Sequence, residues 1–110
     1  MYTYDYHLRF NAEHDTSSSE TNENSHLHTF QLLCRIKQDT IDCRQMECEL
    51  NDILSQYKGI HLNKKMKRLP TIENIGEMLF YEIQDRINGI LLFLEISDKP
   101  TQVIRIGMEE

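Results

Sequence analysis

Residues 2 to 14 alternate strictly. Tyr2, Tyr4, Tyr6, Leu8, Phe10, Ala12 and His14 share one parity, while Thr3, Asp5, His7, Arg9, Asn11 and Glu13 share the other. Successive side chains of a strand point to opposite faces, so this is the pattern of one long strand with a single buried side. A polar stretch, Asp15 to Ser25, interrupts it and reads as an exposed loop. The alternation then resumes with His26, His28, Phe30, Leu32, Cys34 and Ile36 on one face. Two such strands joined by one loop predict a long antiparallel hairpin.

After the hairpin the period changes. Met46, Leu50, Ile53, Leu54 and Tyr57 recur at helical spacing, predicting a helix over about Asp42 to Tyr57. A lysine-rich loop leads to Pro70-Thr71, where Thr71 is a natural N-cap. Ile72, Ile75, Leu79 and Ile83 mark the apolar side of a second helix, which Asn88-Gly89 is expected to end in the left-handed conformation. Ile90 to Ile96 reads as an apolar strand, Asp98-Lys99-Pro100-Thr101 as a turn, and Gln102 to Met108 as a returning strand. The expected order is β-β-α-α-β-β in one domain over residues 1–110. It gives an α+β fold with one antiparallel sheet and both helices on one face. The uncovered face and the open edges favour self-association.

Composition excludes several classes. The longest apolar run, Ile90 to Leu94, is far too short to cross a bilayer. A net charge of −6 argues against a nucleic-acid partner, because phosphate contacts need a basic surface. The local cluster Lys64, Lys65, Lys67 and Arg68 reads as a solvated loop. The opening residues lack the charged-then-apolar pattern of a secretory leader. Three cysteines, Cys34, Cys43 and Cys48, show no metal-type C-x-x-C spacing and read as reduced thiols. A cytoplasmic location is therefore expected.

The histidines carry the chemistry. His26 and His28 are separated by one residue, so their side chains leave the strand on one side, roughly 6.5–7 Å apart along it. His14 closes the same face of the first strand just before the loop, and the hairpin brings it alongside. Three imidazoles that converge in this way can hold zinc at about 2.0–2.1 Å, with a fourth position left open. The other reading is of polar residues that flank a hairpin end, and H-x-H alone does not decide between them. The matching parity of His14 favours the metal site. His7 has the opposite parity and reads as a solvent-side residue.

These residues also form a recognisable set. Phe10-Asn11-Ala12-Glu13-His14, His26-Leu27-His28 and Pro70-Thr71-Ile72-Glu73-Asn74 resemble the F-x-A-x-H, H-x-H and P-T-x-E-N segments of the 6-pyruvoyl-tetrahydropterin synthase family. That family includes the bacterial 6-carboxytetrahydropterin synthases of queuosine biosynthesis. Ile41-Asp42, Leu62-Asn63 and Leu94-Glu95-Ile96 extend the resemblance over nearly the whole chain, in the family's order. It implies the tunnelling fold (T-fold), homohexamers built from two stacked trimers, and active sites at subunit interfaces. Zinc on His14, His26 and His28 is implied, as is a pterin held by Glu95. The implied reaction is a carbon–oxygen lyase step on dihydroneopterin triphosphate or a related pterin.

Glu95 suits that role, because a carboxylate inside an apolar strand must find donors or lose its charge, and a pterin edge offers two parallel donors. The alternative is a glutamate that reaches water or a lysine near the strand end. Thr71 and Glu73 can add polar contacts to the pterin, and each is equally explained by the helix start, as cap and as first-turn acid.

The resemblance fails at the proton-transfer groups. The family's cysteine, four residues before H-x-H, is Asn22 here, and its Asp-His pair falls on Lys58 and Gly59. An amide is no base near neutral pH. His61, two places later, reads either as a replacement general acid or as a plain loop histidine, while Glu20 and Glu23 lie in the polar loop. Two main functions follow, a zinc-dependent pterin lyase with altered chemistry or a non-catalytic zinc- and pterin-binding oligomer. A structural protein that binds neither is a third.

Overall fold

A computed structural model describes residues 2–15, 26–39 and 42–107, with His26 described by its backbone alone. Asn22, Glu20, Glu23, Ile41, Met108 and the His26 side chain lie outside the described residues. The strands β1 (Tyr2–His14) and β2 (His26–Gln38) pair antiparallel over their full length, from Tyr2 opposite Gln38 to His14 opposite His26. The helices α1 (Cys43–Ser55), α2 (Leu62–Lys65) and α3 (Ile72–Arg86) follow, and then β3 (Ile90–Lys99) and β4 (Gln102–Gly107). One antiparallel sheet results, in the order β1-β2-β3-β4. The expected α+β architecture is therefore observed, with one addition. The lysine-rich loop contains a single helical turn, α2, which buries Leu62.

The alternation places the core. Tyr6, Phe10, Ala12 and His14 of β1 are buried, as are Phe30, Leu32, Cys34 and Ile36 of β2. The helices cover this face with Met46, Leu50, Ile53 and Leu54 from α1 and Ile75, Leu79, Phe80 and Ile83 from α3. Asp42 caps α1 by accepting from the Gln45 N–H, and Thr71 caps α3 by accepting from the Asn74 N–H. A Cβ built on Gly76 would stand 2.4 Å from Ile106 Cδ1 and 3.1 Å from Ile96 Cγ2. The missing side chain lets α3 lie directly on β3 and β4.

The end of α3 differs from expectation. The last helical residue is Arg86, and Ile87 is extended with its N–H on the Ile83 carbonyl. Gly89 is not left-handed; the positive-φ glycine is Gly59, at φ 75°. Gln84 ties the connection to α3 instead: its Nε2 donates to the Gly89 carbonyl and its Oε1 accepts from the Leu91 N–H. The chain then runs straight into β3.

The uncovered face is polar. Arg35 donates twice to Asp5 (2.7 and 2.8 Å), and Arg105 donates from Nε and Nη2 to one Glu95 oxygen (2.9 and 2.6 Å). Both guanidinium groups also lie over the Phe93 ring, at 4.7 and 4.3 Å. Among the described residues no helix is long and apolar enough to cross a membrane.

Candidate metal centre

The ends of several elements meet at one corner. His14 closes β1, His28 stands third in β2, Asp98 is next to last in β3, and Pro70 precedes the cap of α3. Two loop segments fix the corner. Residues 59–61 run beside the end of β1, where Gly59 N–H donates to the Asn11 carbonyl (2.6 Å) and Glu13 N–H to the Ile60 carbonyl (2.9 Å). The positive φ of Gly59 turns the chain into this path, a conformation that costs other residues about 1–2 kcal/mol. One step further on, Asn63 Nδ2 donates to the Asp15 carbonyl (2.9 Å), and its Oδ1 accepts from the Asp15 N–H (2.8 Å). The residue that follows His14 is thereby held at both backbone groups.

His14 is 5% exposed and packs edge-on against Phe30, with ring centroids 5.1 Å apart. Its Nδ1 lies 2.8 Å from the Pro70 carbonyl. A carbonyl only accepts, so Nδ1 carries a proton, and in the neutral ring Nε2 bears the lone pair. This is the arrangement by which a second partner fixes the tautomer of a metal-binding histidine. Nε2 points toward the other donors. The His14 and His28 rings meet edge to face at 4.7 Å, and Asp98 Oδ2 is 3.7 Å from His14 Nε2. One donor atom from each of His14, His28 and Asp98 lies within 4.8 Å of the other two.

Nitrogen and oxygen donors on one zinc, at about 2.0–2.2 Å each, stand about 3.4 Å apart at a tetrahedral angle and about 4.2 Å apart when opposed. The 3.7 Å between His14 and Asp98 falls inside that interval. The donor set, imidazole and carboxylate, suits zinc. His26 lies directly opposite His14 in the β1–β2 pairing.

The other anticipated residues are placed differently. Glu95 pairs with Leu33 in β2 and Arg105 in β4, between buried Leu94 and Ile96. It therefore occupies the face opposite His14 and His28, where Arg105 holds it. Thr71 and Glu73 sit in the first turn of α3, next to Pro70, with Thr71 acting as cap. His61 starts α2 and forms a bridge to Glu13, close in sequence to His14, but it is outside the convergent donor group. Lys58 borders a cavity with Arg9, Asn11 and Thr29, and Gly59 is engaged through its backbone. Neither can move a proton as the Asp-His pair would.

Asp98 is the residue that the sequence reading left in a turn. The signal was present, because Leu94, Ile96 and Asp98 share a parity and β3 continues to Lys99. Its turn is shorter than expected, only Pro100-Thr101.

The comparisons agree with this architecture. The family model described as 6-pyruvoyl tetrahydropterin synthase matches residues 4–109. The 6-pyruvoyl tetrahydropterin synthase of Caenorhabditis elegans superposes with a TM-score of 0.83 at 16% identity, covering 98% of this chain and 96% of that one. The uncharacterized protein WS1659 of Wolinella succinogenes superposes with a TM-score of 0.67 at 13% identity, covering 98% of each chain. No curated protein sequence matches this one. The chain belongs to the 6-pyruvoyl tetrahydropterin synthase family.

Proposed function

We propose that this protein processes a pterin as a zinc-dependent lyase of the 6-pyruvoyl- or 6-carboxy-tetrahydropterin synthase type, working as a self-associated homohexamer in the cytoplasm. The observation that carries the reading is His14. It is buried, its Nδ1 is tied to the Pro70 carbonyl, and its Nε2 faces Asp98 in a convergent group with His28. Packing alone gives no reason for three potential donors to converge at one corner. Family membership supplies the substrate class, and His14, His26 and His28 supply the metal ligands. Bound zinc would polarise oxygens on the pterin side chain as a Lewis acid.

Glu95 is the proposed pterin anchor. Its carboxylate would take the paired N–H groups of the pterin edge in place of the Arg105 guanidinium. Arg105 is well exposed, so the exchange needs little reorganisation.

The test is product analysis. Zinc-loaded protein is incubated with dihydroneopterin triphosphate and the pterins are separated by chromatography. Turnover that depends on zinc and is lost in His28→Ala supports the lyase, and His61→Ala then asks whether His61 serves as the acid. Pterin that binds yet returns unchanged supports the second reading, a non-catalytic zinc- and pterin-binding oligomer. One observation favours that alternative: Lys58 and Gly59 occupy the positions of the Asp-His pair, and Gly59 contributes only backbone.

A further inference from the structure

We infer that Asp98 is a ligand of the same metal, so that the centre has a carboxylate among its histidines. The inference rests on the metal reading above and adds a donor to it. Asp98 is the residue next to last in β3, and its carboxylate is 21% exposed. A half-buried carboxylate is stabilised by a nearby donor or cation. Its one partner among the described residues is His14 Nε2, at 3.7 Å, beyond hydrogen-bond reach.

The His14 tautomer sharpens the point. With Nδ1 donating to Pro70, Nε2 is the ring nitrogen that faces Asp98 Oδ2. A cation between the two takes both as ligands. A divalent ion fits the 3.7 Å gap at ordinary zinc bond lengths, and His28 completes a group within 4.8 Å.

Charge favours the same assignment. Three neutral histidines leave the dication uncompensated at a part-buried corner, and Asp98 halves that charge. An oxygen donor also shifts the site away from purely nitrogen coordination and toward harder metals. Added to the histidines of the metal reading, Asp98 would be a further protein donor to the ion.

The test uses the full chain, loaded with zinc or cobalt(II). Zinc affinity is measured by chelator competition for wild type, His28→Ala, Asp98→Asn and Asp98→Ser, with thermal unfolding of the metal-free proteins as the folding control. The visible d–d spectrum of the cobalt forms reports donor set and geometry. We expect Asp98→Asn to weaken zinc by at least about tenfold and to alter the cobalt spectrum. Weakened binding with an unchanged spectrum would make Asp98 a positioning residue for His14 and overturn the assignment, as would unchanged binding.

If neither substituted chain folds, a crystal structure of the zinc-loaded wild type decides. Asp98 Oδ within about 2.2 Å of the ion supports the proposal, and an oxygen beyond 3 Å refutes it. Zinc binding that is lost in His28→Ala but intact in Asp98→Asn overturns this inference alone. A wild type that binds no zinc overturns the metal reading with it.

Discussion

Asn63 is not one of the convergent donors, yet it should control the corner that holds them. It accepts from the Asp15 N–H at 2.8 Å and donates to the Asp15 carbonyl at 2.9 Å, and Asp15 is 2% exposed. Asn63→Ala removes both bonds. Each contributes about 0.5–1.5 kcal/mol net, and a buried group left unmatched adds up to about 1–3 kcal/mol. Asn63 itself is only half-buried, so water can enter the vacated space and relieve part of that penalty. The expected loss is about 2–3 kcal/mol. With a urea slope of about 1.2 kcal/mol/M, suited to a small domain, the midpoint should fall by about 2 M with the slope unchanged. Asn63→Asp keeps the acceptor for the Asp15 N–H but sets a carboxylate against the Asp15 carbonyl. It should be at least as unstable at neutral pH. Zinc affinity should fall in both variants, since Asp15 follows His14 in the chain. A midpoint shift below about 0.4 M in Asn63→Ala would refute the reasoning, because solvent would then replace the clamp at no cost.

Gly59→Ala should lose about 1–2 kcal/mol in the same urea assay and Gly59→Asn less, since a Cβ there meets nothing within 4 Å and only the positive φ resists it. Equal losses in the two variants would point to some other cause. Arg105→Gln should change stability by less than about 1 kcal/mol, the pair being exposed, while tightening pterin binding measured by fluorescence titration. Glu95→Gln should abolish that binding, and unchanged affinity in both variants would remove Glu95 as the anchor. Burial pushes the Cys34 thiol up to about 12, so at pH 8 its thiolate fraction is roughly one in ten thousand. In native protein, alkylation followed by mass spectrometry should mark exposed Cys48 and spare Cys34, and early labelling of Cys34 would contradict its burial.

The hairpin was legible because thirteen alternating residues leave β1 no other comfortable fold. The Thr71 cap was legible for a similar reason, as local chemistry with a local consequence. Gly89 misled because a glycine after a helix suits a left-handed cap, whereas here its carbonyl is held by Gln84, five residues earlier. Nothing in a one-dimensional pattern marks that bond. Asp98 was obscured by its neighbours, since Asp-Lys-Pro-Thr carries strong turn chemistry and hid the parity that continues from Leu94 and Ile96. The Pro70 carbonyl had no signal at all. A backbone oxygen 56 residues from His14 becomes its partner only when α3 docks on the sheet.

The two faces of the sheet also bear on how the proposed function can work. Glu95 pairs with Arg105 on the uncovered face, whereas Asp98 Oδ2 lies 3.7 Å from His14 Nε2 on the helix-covered side. A pterin held by Glu95 therefore has the sheet between it and the His14–His28 corner of its own protomer. For one pterin to meet both, the corner must come from a second protomer. The long open edge of β1 and the edge of β4 offer routes for such an assembly. Mixing is the direct test. Glu95→Gln and His28→Ala subunits, each inactive alone, should regain part of the lyase activity when dissociated and reassembled together, because some sites then combine an intact anchor with an intact corner. Reassembly without recovered activity would place both groups in one protomer.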